Sequence, residues 1–567
     1  MTLSEAPRSF RAPRWLKAPW WLLPAGAFAL PLLAALWLGV AQAMDAAAWS
    51  ALLADTQFAP ALRLSVWTGT AASALALWLT VMLVTQLHGT RNWQWLHSAL
   101  GPVLAVPHAA FAVGLALLIM PSGWLSRGLA PLLGWTSPPD VATVQDPWGF
   151  SLILGLVMKE LPFLLLSVMA QIQKAGQGAA LQSQLQVAAS LGYSARSAWW
   201  RVLWPQLLPR MALPLLAVWA YSFTVVDMAL VLGPTRPPTL AVLAWQWLQD
   251  SSDSTNRQGA AAALLLTLVM GAGALFCVLS ARWLRGALTR RWTRGDRPLA
   301  VSTALALQGA AAAFIAFVYL ALLAALLFTS LVGVWRYPAL WPSVLTFSAW
   351  QAVAQSLPSL QLTALLALLS ASSGLMLAIA WMELTPPHFD RPAVLLACMP
   401  MWVPGVLLVA GLYQLALLCR VDGSITGLWL AHTLFTAPYV WVALAPAYRS
   451  VDVRMEQTAH ALGRSHAAFL WRVKWPMLRA PLASAFAVGF AVSVTQYLST
   501  QFIGAGRLST VTTEALTLAS GGQRNVAAAF ALTQALLPAC VFALAWWLGQ
   551  QASERAAGLR QSSRVTS

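Results

Sequence analysis

Two stretches of this chain, 271 residues apart, share one unusual pattern. The first is "LGYSARSAWWRVLWPQLLP" at 191–209, and the second is "LGRSHAAFLWRVKWPMLRA" at 462–480. Each has Leu-Gly, a serine two residues later, and Trp-Arg-Val separated by one residue from Trp-Pro. Both are basic and interrupted by polar residues, although long apolar runs surround them. A segment that occurs twice at a fixed spacing indicates an internal duplication.

The composition is that of an integral membrane protein. Of the 567 residues, 59% are hydrophobic and only 9% are charged. An apolar run of about 18 or more residues predicts a transmembrane helix, because such a helix crosses the hydrocarbon layer and satisfies its own backbone hydrogen bonds. We predict an all-α integral membrane protein with about twelve such helices, roughly at 21–41, 63–85, 98–120, 148–171, 208–232, 259–281, 306–334, 360–383, 394–418, 424–446, 480–503 and 525–548.

The net charge of +17 is explained by the excess of Lys and Arg that membrane proteins carry on their cytoplasmic side. With a cytoplasmic N-terminus and alternating helices, about 25 of the 34 Lys and Arg fall in cytoplasmic segments, which is the positive-inside bias. Both termini are then cytoplasmic, and no nucleic-acid partner is needed to explain the basicity. The densest patch, "RWLRGALTRRWTRGDRP" at 282–298, is expected to anchor the topology and to contact anionic membrane lipid.

The first apolar run resembles a secretory signal. Basic residues precede it and "AQA" at 41–43 resembles a cleavage site. However, the run has about twenty residues, whereas the apolar part of such a signal has about 7–15. The sequence therefore favours a retained helix.

No motif in the sequence favours an enzyme. There is no G-x-x-x-x-G-K-[ST], HExxH or GxSxG, so any ATP hydrolysis must come from a partner, and we expect no cofactor bound by this chain. The four cysteines, Cys277, Cys398, Cys419 and Cys540, are scattered and form no CxxC pair. Neither a metal site nor a disulfide framework is expected.

The duplication divides the chain into two halves. With a shift of 271, residues 186–240 align with 457–511 without a gap, and about eighteen of the fifty-five positions are identical. A weaker match with a shift of 297 pairs Pro107 and Gly114 with Pro404 and Gly411. We predict a first six-helix half at 1–283 (core about 60–283), a basic cytoplasmic linker at 284–304 and a second half at 305–567 (core about 356–548). Because six is even, the repeats are parallel, and a substrate path is expected between them.

Each repeated segment is expected to form a helix, a sharp turn and a second helix. Gly192 is suited to the left-handed conformation that ends a helix, and Ser194 is placed to cap the next helix. Pro205 interrupts the pattern before the following membrane span. The second copy has the same turn, cap and helix break, at Gly463, Ser465 and Pro476. An amphipathic helix that only anchors the fold would not require the same glycine and proline twice.

These residues carry a family resemblance. "QVAASLG…RVLWP" and "QTAHALG…RVKWP" resemble the Glu-Ala-Ala-x-x-x-Gly loop of permease subunits of binding-protein-dependent ABC importers. The fused arrangement is most similar to ferric-iron and thiamine importer permeases. The resemblance implies type I importer helices in a bacterial inner membrane, a periplasmic binding protein, and two copies of a separate ATPase that dock on the loops. The loop residues carried over are Gln186, Ala188, Gly192, Ser194, Pro205, Gln457, Ala459, Gly463, Ser465 and Pro476.

The sequence departs from the family pattern at the first position of the motif. Gln186 and Gln457 stand where the family has glutamate. A glutamine keeps an acceptor but loses the charge, so a contact to a basic residue of the ATPase would weaken to an ordinary hydrogen bond.

Polar residues within the apolar spans are candidates for the translocation path. We select Lys159, Glu160, Asp227 and Gln496. Gln496 lies in "QYLSTQFIG", which resembles a stretch that carries a glutamate in related permeases. The alternative for each residue is hydrogen bonding between helices.

A secondary transporter is the competing function, because it is also built from two parallel six-helix halves. It would need ion-coupling residues within its spans, and this chain has few. It would not need a matched docking loop in each half.

The outer loop at 121–149 is long in the first half only. Long loops without structure of their own tend to be functional or disordered. We therefore expect this loop to help dock the binding protein or to cap the pathway.

Overall fold

The fold is helical throughout the part of the chain that a computed structural model describes, namely residues 22–173, 177–292 and 305–565. Within those ranges the only β pairing is one antiparallel bridge between Val332 and Leu345. The all-α prediction is confirmed.

Most helices follow one another with short connections, and the longest connections within the described residues are 134–149 and 331–347. Those before residue 293 are α1 Leu22–Gln42, α2 Ala46–Ala54, α3 Phe58–Leu87, α4 Arg91–Ala105, α5 His108–Ile119, α6 Trp124–Leu133, α7 Phe150–Gln173, α8 Gln177–Ser190, α9 Ala195–Ala198, α10 Trp204–Arg210, α11 Ala212–Thr224, α12 Asp227–Leu232, α13 Leu240–Leu248 and α14 Asp253–Trp292. Those after residue 304 are α15 Leu305–Ser330, α16 Ser348–Gln355, α17 Leu357–Leu384, α18 Asp390–Ala397, α19 Met399–Trp402, α20 Gly405–Leu418, α21 Ile425–Arg449, α22 Val453–Ala461, α23 His466–Phe469, α24 Trp475–Met477, α25 Arg479–Val494, α26 Leu498–Ile503, α27 Val511–Ser520 and α28 Arg524–Val565.

The helices confirm a multi-span membrane protein. Among the described residues, nine helices are long and apolar enough to cross a membrane, or up to eleven if each of two bent pairs is one span. The span expected at 394–418 is divided into α18, α19 and α20, and α20 has only 14 residues. The span expected at 98–120 is likewise broken between α4 and α5. The exact count of twelve therefore stays a prediction.

The first helix of each predicted half packs against the other half. Helix α1 runs along α20, and α15 runs along α5. Glycines permit both contacts: a Cβ on Gly39 would lie 2.6 Å from the carbonyl oxygen of Leu407, and a Cβ on Gly114 would lie 2.5 Å from Cγ of Leu322. Small residues let membrane helices approach closely. Gly114 and Gly411 are equivalent in the 297-residue shift, and both receive the incoming helix.

The boundaries of the linker and the fate of the N-terminal segment stay predictions. Residues 284–292 of the predicted linker continue α14. Residues 293–304 lie outside the described part of the chain, as do residues 1–21. Helix α1 is a continuous helix packed on α20, and its retention stays a prediction.

Candidate functional site

The two repeated segments end their first helices in the same way. In the first copy, the N–H of Gly192 donates to the carbonyl of Ala189 (2.9 Å) and the next N–H donates to Ala188 (3.0 Å). In the second copy, Gly463 and the residue after it make the equivalent bonds, at 2.9 and 3.0 Å. This is the Schellman arrangement, which requires a left-handed residue at the turn. The φ angles are +82° at Gly192 and +72° at Gly463, a conformation that glycine adopts without steric cost.

Serine caps begin the second helix of each segment. The hydroxyl of Ser194 accepts from the N–H three residues later at 3.3 Å, and that of Ser465 does so at 3.2 Å. These bonds satisfy N–H groups that the first turn of a helix leaves without partners.

In each segment, a π-helical turn and a proline precede the bend that leads to the next span. The π turns are Trp199–Leu203 and Leu470–Lys474, at equivalent positions. Pro205 and Pro476 follow the π turns, as the second residues of α10 and α24, and neither has an N–H to donate to the preceding turn. The axis then bends by 67° before α11 and by 78° before α25. Each segment therefore lies at a steep angle to the span that follows it.

The surface of both segments exposes matched apolar side chains. Leu191 and its equivalent Leu462 are 58% and 74% exposed, and Trp200 and its equivalent Trp471 are 39% and 69% exposed. Gln186 and Gln457 are also exposed, whereas Ala188 is buried and Ala459 half-buried. Exposed apolar groups next to a rigid turn are typical of a surface that meets another protein.

The second segment carries a charge network that the first copy lacks. His466 Nδ1 lies 2.8 Å from Glu456 Oε1 in α22, and its Nε2 lies 3.2 Å from Glu383 Oε2 at the end of α17. Lys474 Nζ lies 2.6 Å from Glu383 Oε1. The positions equivalent to His466 and Lys474 in the first copy are Ala195 and Leu203.

The network fixes the charge of the histidine. Hydrogen bonds to Glu383 and then to Glu456 raise the pKa of His466 above its ordinary value of 6.5, while partial burial acts in the opposite direction. With a carboxylate at each ring nitrogen, the favoured form is the imidazolium, which donates from both nitrogens. The network therefore joins the segment to α17 electrostatically.

Two residues of this network also belong to the only cluster of three potential metal ligands found among the described residues. Ligand atoms of Glu456, His460 and His466 lie within 4.8 Å of one another. Because both nitrogens of His466 face carboxylates, the protonated ring has no lone pair for a metal. The geometry fits ion pairing.

A second feature is a cavity of about 360 Å³ where four helix breaks meet. In the first half, the α4–α5 break at Pro107 and the α11–α12 break line it. In the second half, the α19–α20 break around Pro404 and the α25–α26 break line it. Proline removes an N–H and interrupts a helix, which explains two of the breaks. Broken helices at matching positions of two repeats are typical of substrate sites in transporters.

The four polar residues selected from the sequence all line this cavity. Lys159 and Glu160 are only 3% and 6% exposed, and Asp227 and Gln496 are half-buried. The Nζ of Lys159 donates to the carbonyl of Val106 at 2.7 Å, an acceptor at the α4–α5 break. The structure thus brings together residues that are up to 337 positions apart in the chain.

Sequence reasoning missed other polar residues of the cavity. The ring of His108 lies 4.7 Å from that of Tyr221, centroid to centroid, and its Nε2 lies 3.8 Å from Glu160 Oε1. Tyr221 donates to Asp227 Oδ1 at 3.3 Å. The available signal was Pro107, which pairs with Pro404 in the weaker repeat and directly precedes His108.

Comparison with known proteins decides the family. No protein-family model matches the chain. The chain is 35% identical over 527 residues to the inner membrane ABC transporter permease protein YnjC of Escherichia coli (strain K12), an alignment that spans 92% of this chain and 94% of that protein. The chain belongs to the inner-membrane ABC transporter permeases.

Membership in this family confirms a central prediction. As an ABC transporter permease, the chain is a multi-pass protein of the inner membrane that works with an ATPase partner. The relationship sets aside the secondary-transporter alternative. The resemblance to ferric-iron and thiamine importer permeases is not confirmed.

Proposed function

We propose that this permease is the transmembrane subunit of a binding-protein-dependent importer. A periplasmic binding protein delivers the substrate, which passes through the cavity between the two halves. A separate ATPase, in two copies, hydrolyses ATP and docks on two cytoplasmic segments. These are the first docking segment, at 177–210, and the second docking segment, at 453–477. Both termini are cytoplasmic, and the chain binds no cofactor of its own.

The match between the two docking segments carries this proposal. Both have the same Schellman turn, serine cap, π turn and proline, and both expose a leucine and a tryptophan at equivalent positions. Two docking surfaces with the same backbone plan suit two copies of one partner. A segment that only anchored the fold would bury its apolar groups in lipid or protein without keeping a rigid, exposed glycine turn.

The partner is held by shape and apolar contact more than by charge. Gln186 and Gln457 are exposed and uncharged, so they offer ordinary hydrogen bonds to an ATPase groove. Leu462 and Trp471 supply apolar surface that is desolvated on docking.

Substitution of the two turn glycines tests the proposal. Glutamate at Gly192 or Gly463 meets a backbone cost of ~1 kcal/mol or more for a left-handed residue that is not glycine. It also places a charged side chain on the docking surface, away from the membrane core. We expect each single variant to express at near-normal levels with weaker ATPase association and no transport. We expect the Gly192→Glu/Gly463→Glu double variant to lose co-purification of the ATPase.

Gly134→Glu is the matched control. Gly134 also ends a helix in the left-handed conformation, at φ +67°, and a Cβ there would meet nothing within 4 Å. Because its backbone is left-handed as well, the backbone cost of the substitution is the same as at Gly192 and Gly463. Because it lies in the loop at 121–149, the docking segments are unchanged. This variant should retain the ATPase. Full ATPase recovery and normal transport in the double glycine variant would contradict the docking proposal.

A further inference from the structure

We propose that the cavity between the two halves admits a small organic cation and that the transported substrate belongs to this class. The inference rests on the proposed role of the cavity as the substrate path. It adds the chemical class of the substrate, which neither the family nor the docking segments specify.

Glu160 is the first observation. Its side chain lines the cavity and the residue is 6% exposed. Among the described residues no hydrogen bond ends on its carboxylate, and Nε2 of His108 lies 3.8 Å from its Oε1, beyond hydrogen-bond distance. A buried carboxylate without a hydrogen bond is costly unless something else supplies the missing interaction. A cationic substrate in the cavity would supply it.

The remaining charges leave the cavity acidic. Asp227 adds a second carboxylate, which accepts one hydrogen bond, from Tyr221 at 3.3 Å. Lys159 donates to the Val106 carbonyl at 2.7 Å and forms no ion pair within 4.0 Å with either carboxylate. Among the residues that line the cavity in the described part of the chain, the only lysine is thus already engaged, while two carboxylates face the interior. A cleft with this sign concentrates cations.

The helix ends around the cavity do not reverse this preference. Each of the four breaks presents the C-terminal end of one helix and the N-terminal end of the next. The partial negative and positive charges of these ends oppose each other at every break. The ionised side chains therefore decide the sign of the potential.

The walls fit an organic cation better than a metal ion. Aromatic rings line the cavity beside the carboxylates, namely Phe163, Tyr221, Phe435, Tyr439 and Tyr497. The faces of such rings attract organic cations. In the described part of the chain, the only three-residue group with metal-ligand spacing is in the second docking segment, not in the cavity. A volume of about 360 Å³ suits a small molecule.

Cysteine modification with charged reagents tests the preference directly. The full-length permease, with its four cysteines replaced by alanine, receives Thr495→Cys or Ala491→Cys, two residues that line the cavity. The rates of three methanethiosulfonate reagents are measured in membranes: the trimethylammonium-ethyl cation, the sulfonatoethyl anion and the uncharged methyl reagent. Each rate is divided by its rate with a small free thiol in solution.

We expect the cation to react faster than the anion by about tenfold or more, since clefts of one sign raise the local concentration of the opposite ion to that extent. Glu160→Gln combined with Asp227→Asn should bring the ratio close to one, and each single change should give an intermediate ratio. Asp140→Asn, at an exposed carboxylate outside the cavity, should leave the ratio unchanged.

Three results would overturn the inference. These are equal or anion-favouring rates in the parent, a cation preference that survives the double neutralisation, and failure of the uncharged reagent to reach either cysteine. The rates are measured on the permease without its ATPase. They therefore separate a wrong substrate class from a wrong docking proposal, which the glycine variants test on their own.

Discussion

Replacement of Gly411 by alanine tests the close contact between α1 and α20. A Cβ on Gly411 would lie 2.7 Å from the backbone N of Gly39 and would overlap the carbonyl group of Ala35. Both obstacles are backbone atoms, which no side-chain rotation removes. The helices must separate by roughly 1 Å, a gap that forfeits about a quarter to a half of each contact energy across the interface. Overpacking of this kind costs ~1–3 kcal/mol, occasionally more.

The same substitution at two other glycines provides a graded comparison. Gly114→Ala meets the side chain of Leu322, with Cγ at 2.5 Å, and a leucine relaxes more readily than a backbone does. Gly271→Ala, inside α14, meets nothing within 4 Å and gains helix propensity of up to ~1 kcal/mol. Thermal unfolding of the purified permease should give the lowest midpoint for Gly411→Ala, then Gly114→Ala, with Gly271→Ala at or above the parent. Equal midpoints for Gly411→Ala and Gly271→Ala would refute the close approach of α1 to α20.

Three further predictions concern the charge network, the cavity and the outer loop. The pKa of His466 is higher in the folded protein than its ordinary value of 6.5, so its ion pairs stabilise the fold fully below pH 6.5 and are lost as the pH rises through the folded-state pKa. His466→Gln should therefore lower the unfolding midpoint more at pH 6 than at pH 9. Lys159→Met leaves the Val106 carbonyl without its donor, which should cost ~1–3 kcal/mol in denaturant unfolding. Deletion of 130–145 should reduce transport at saturating binding protein while ATPase co-purification persists; unchanged transport would make the loop a spacer.

The backbone conformation of the two repeated segments was predictable because its signals are local. A left-handed turn favours glycine, a helix start favours serine, and proline interrupts a helix, so Gly192, Ser194 and Pro205 each have a specific backbone role. The π turn at Trp199–Leu203 was not predictable, because nothing in its residue types distinguishes it from an α-helical turn.

The cavity was only partly predictable, because it depends on contacts between distant helices. Charge in an apolar span pointed to Lys159 and Glu160, yet adjacent residues on one helix do not show which other helices they face. His108 had only an indirect signal, the repeated Pro107 that directly precedes it. The packing of α1 on α20 was hidden for a related reason: a helix that is apolar all round gives no sign of its partner.

The packing of each half's first helix, α1 or α15, against the other half sets an order for folding during synthesis. Helix α1 enters the membrane early, but its partner α20 is synthesised about 370 residues later. At ~5–20 residues per second, α1 waits roughly 20–70 s in the bilayer before that contact can form. Helix α15 has no such wait, because α5 is already in place when it emerges. Translation therefore allows the α15–α5 contact to form promptly and delays the α1–α20 contact until α20 has been made.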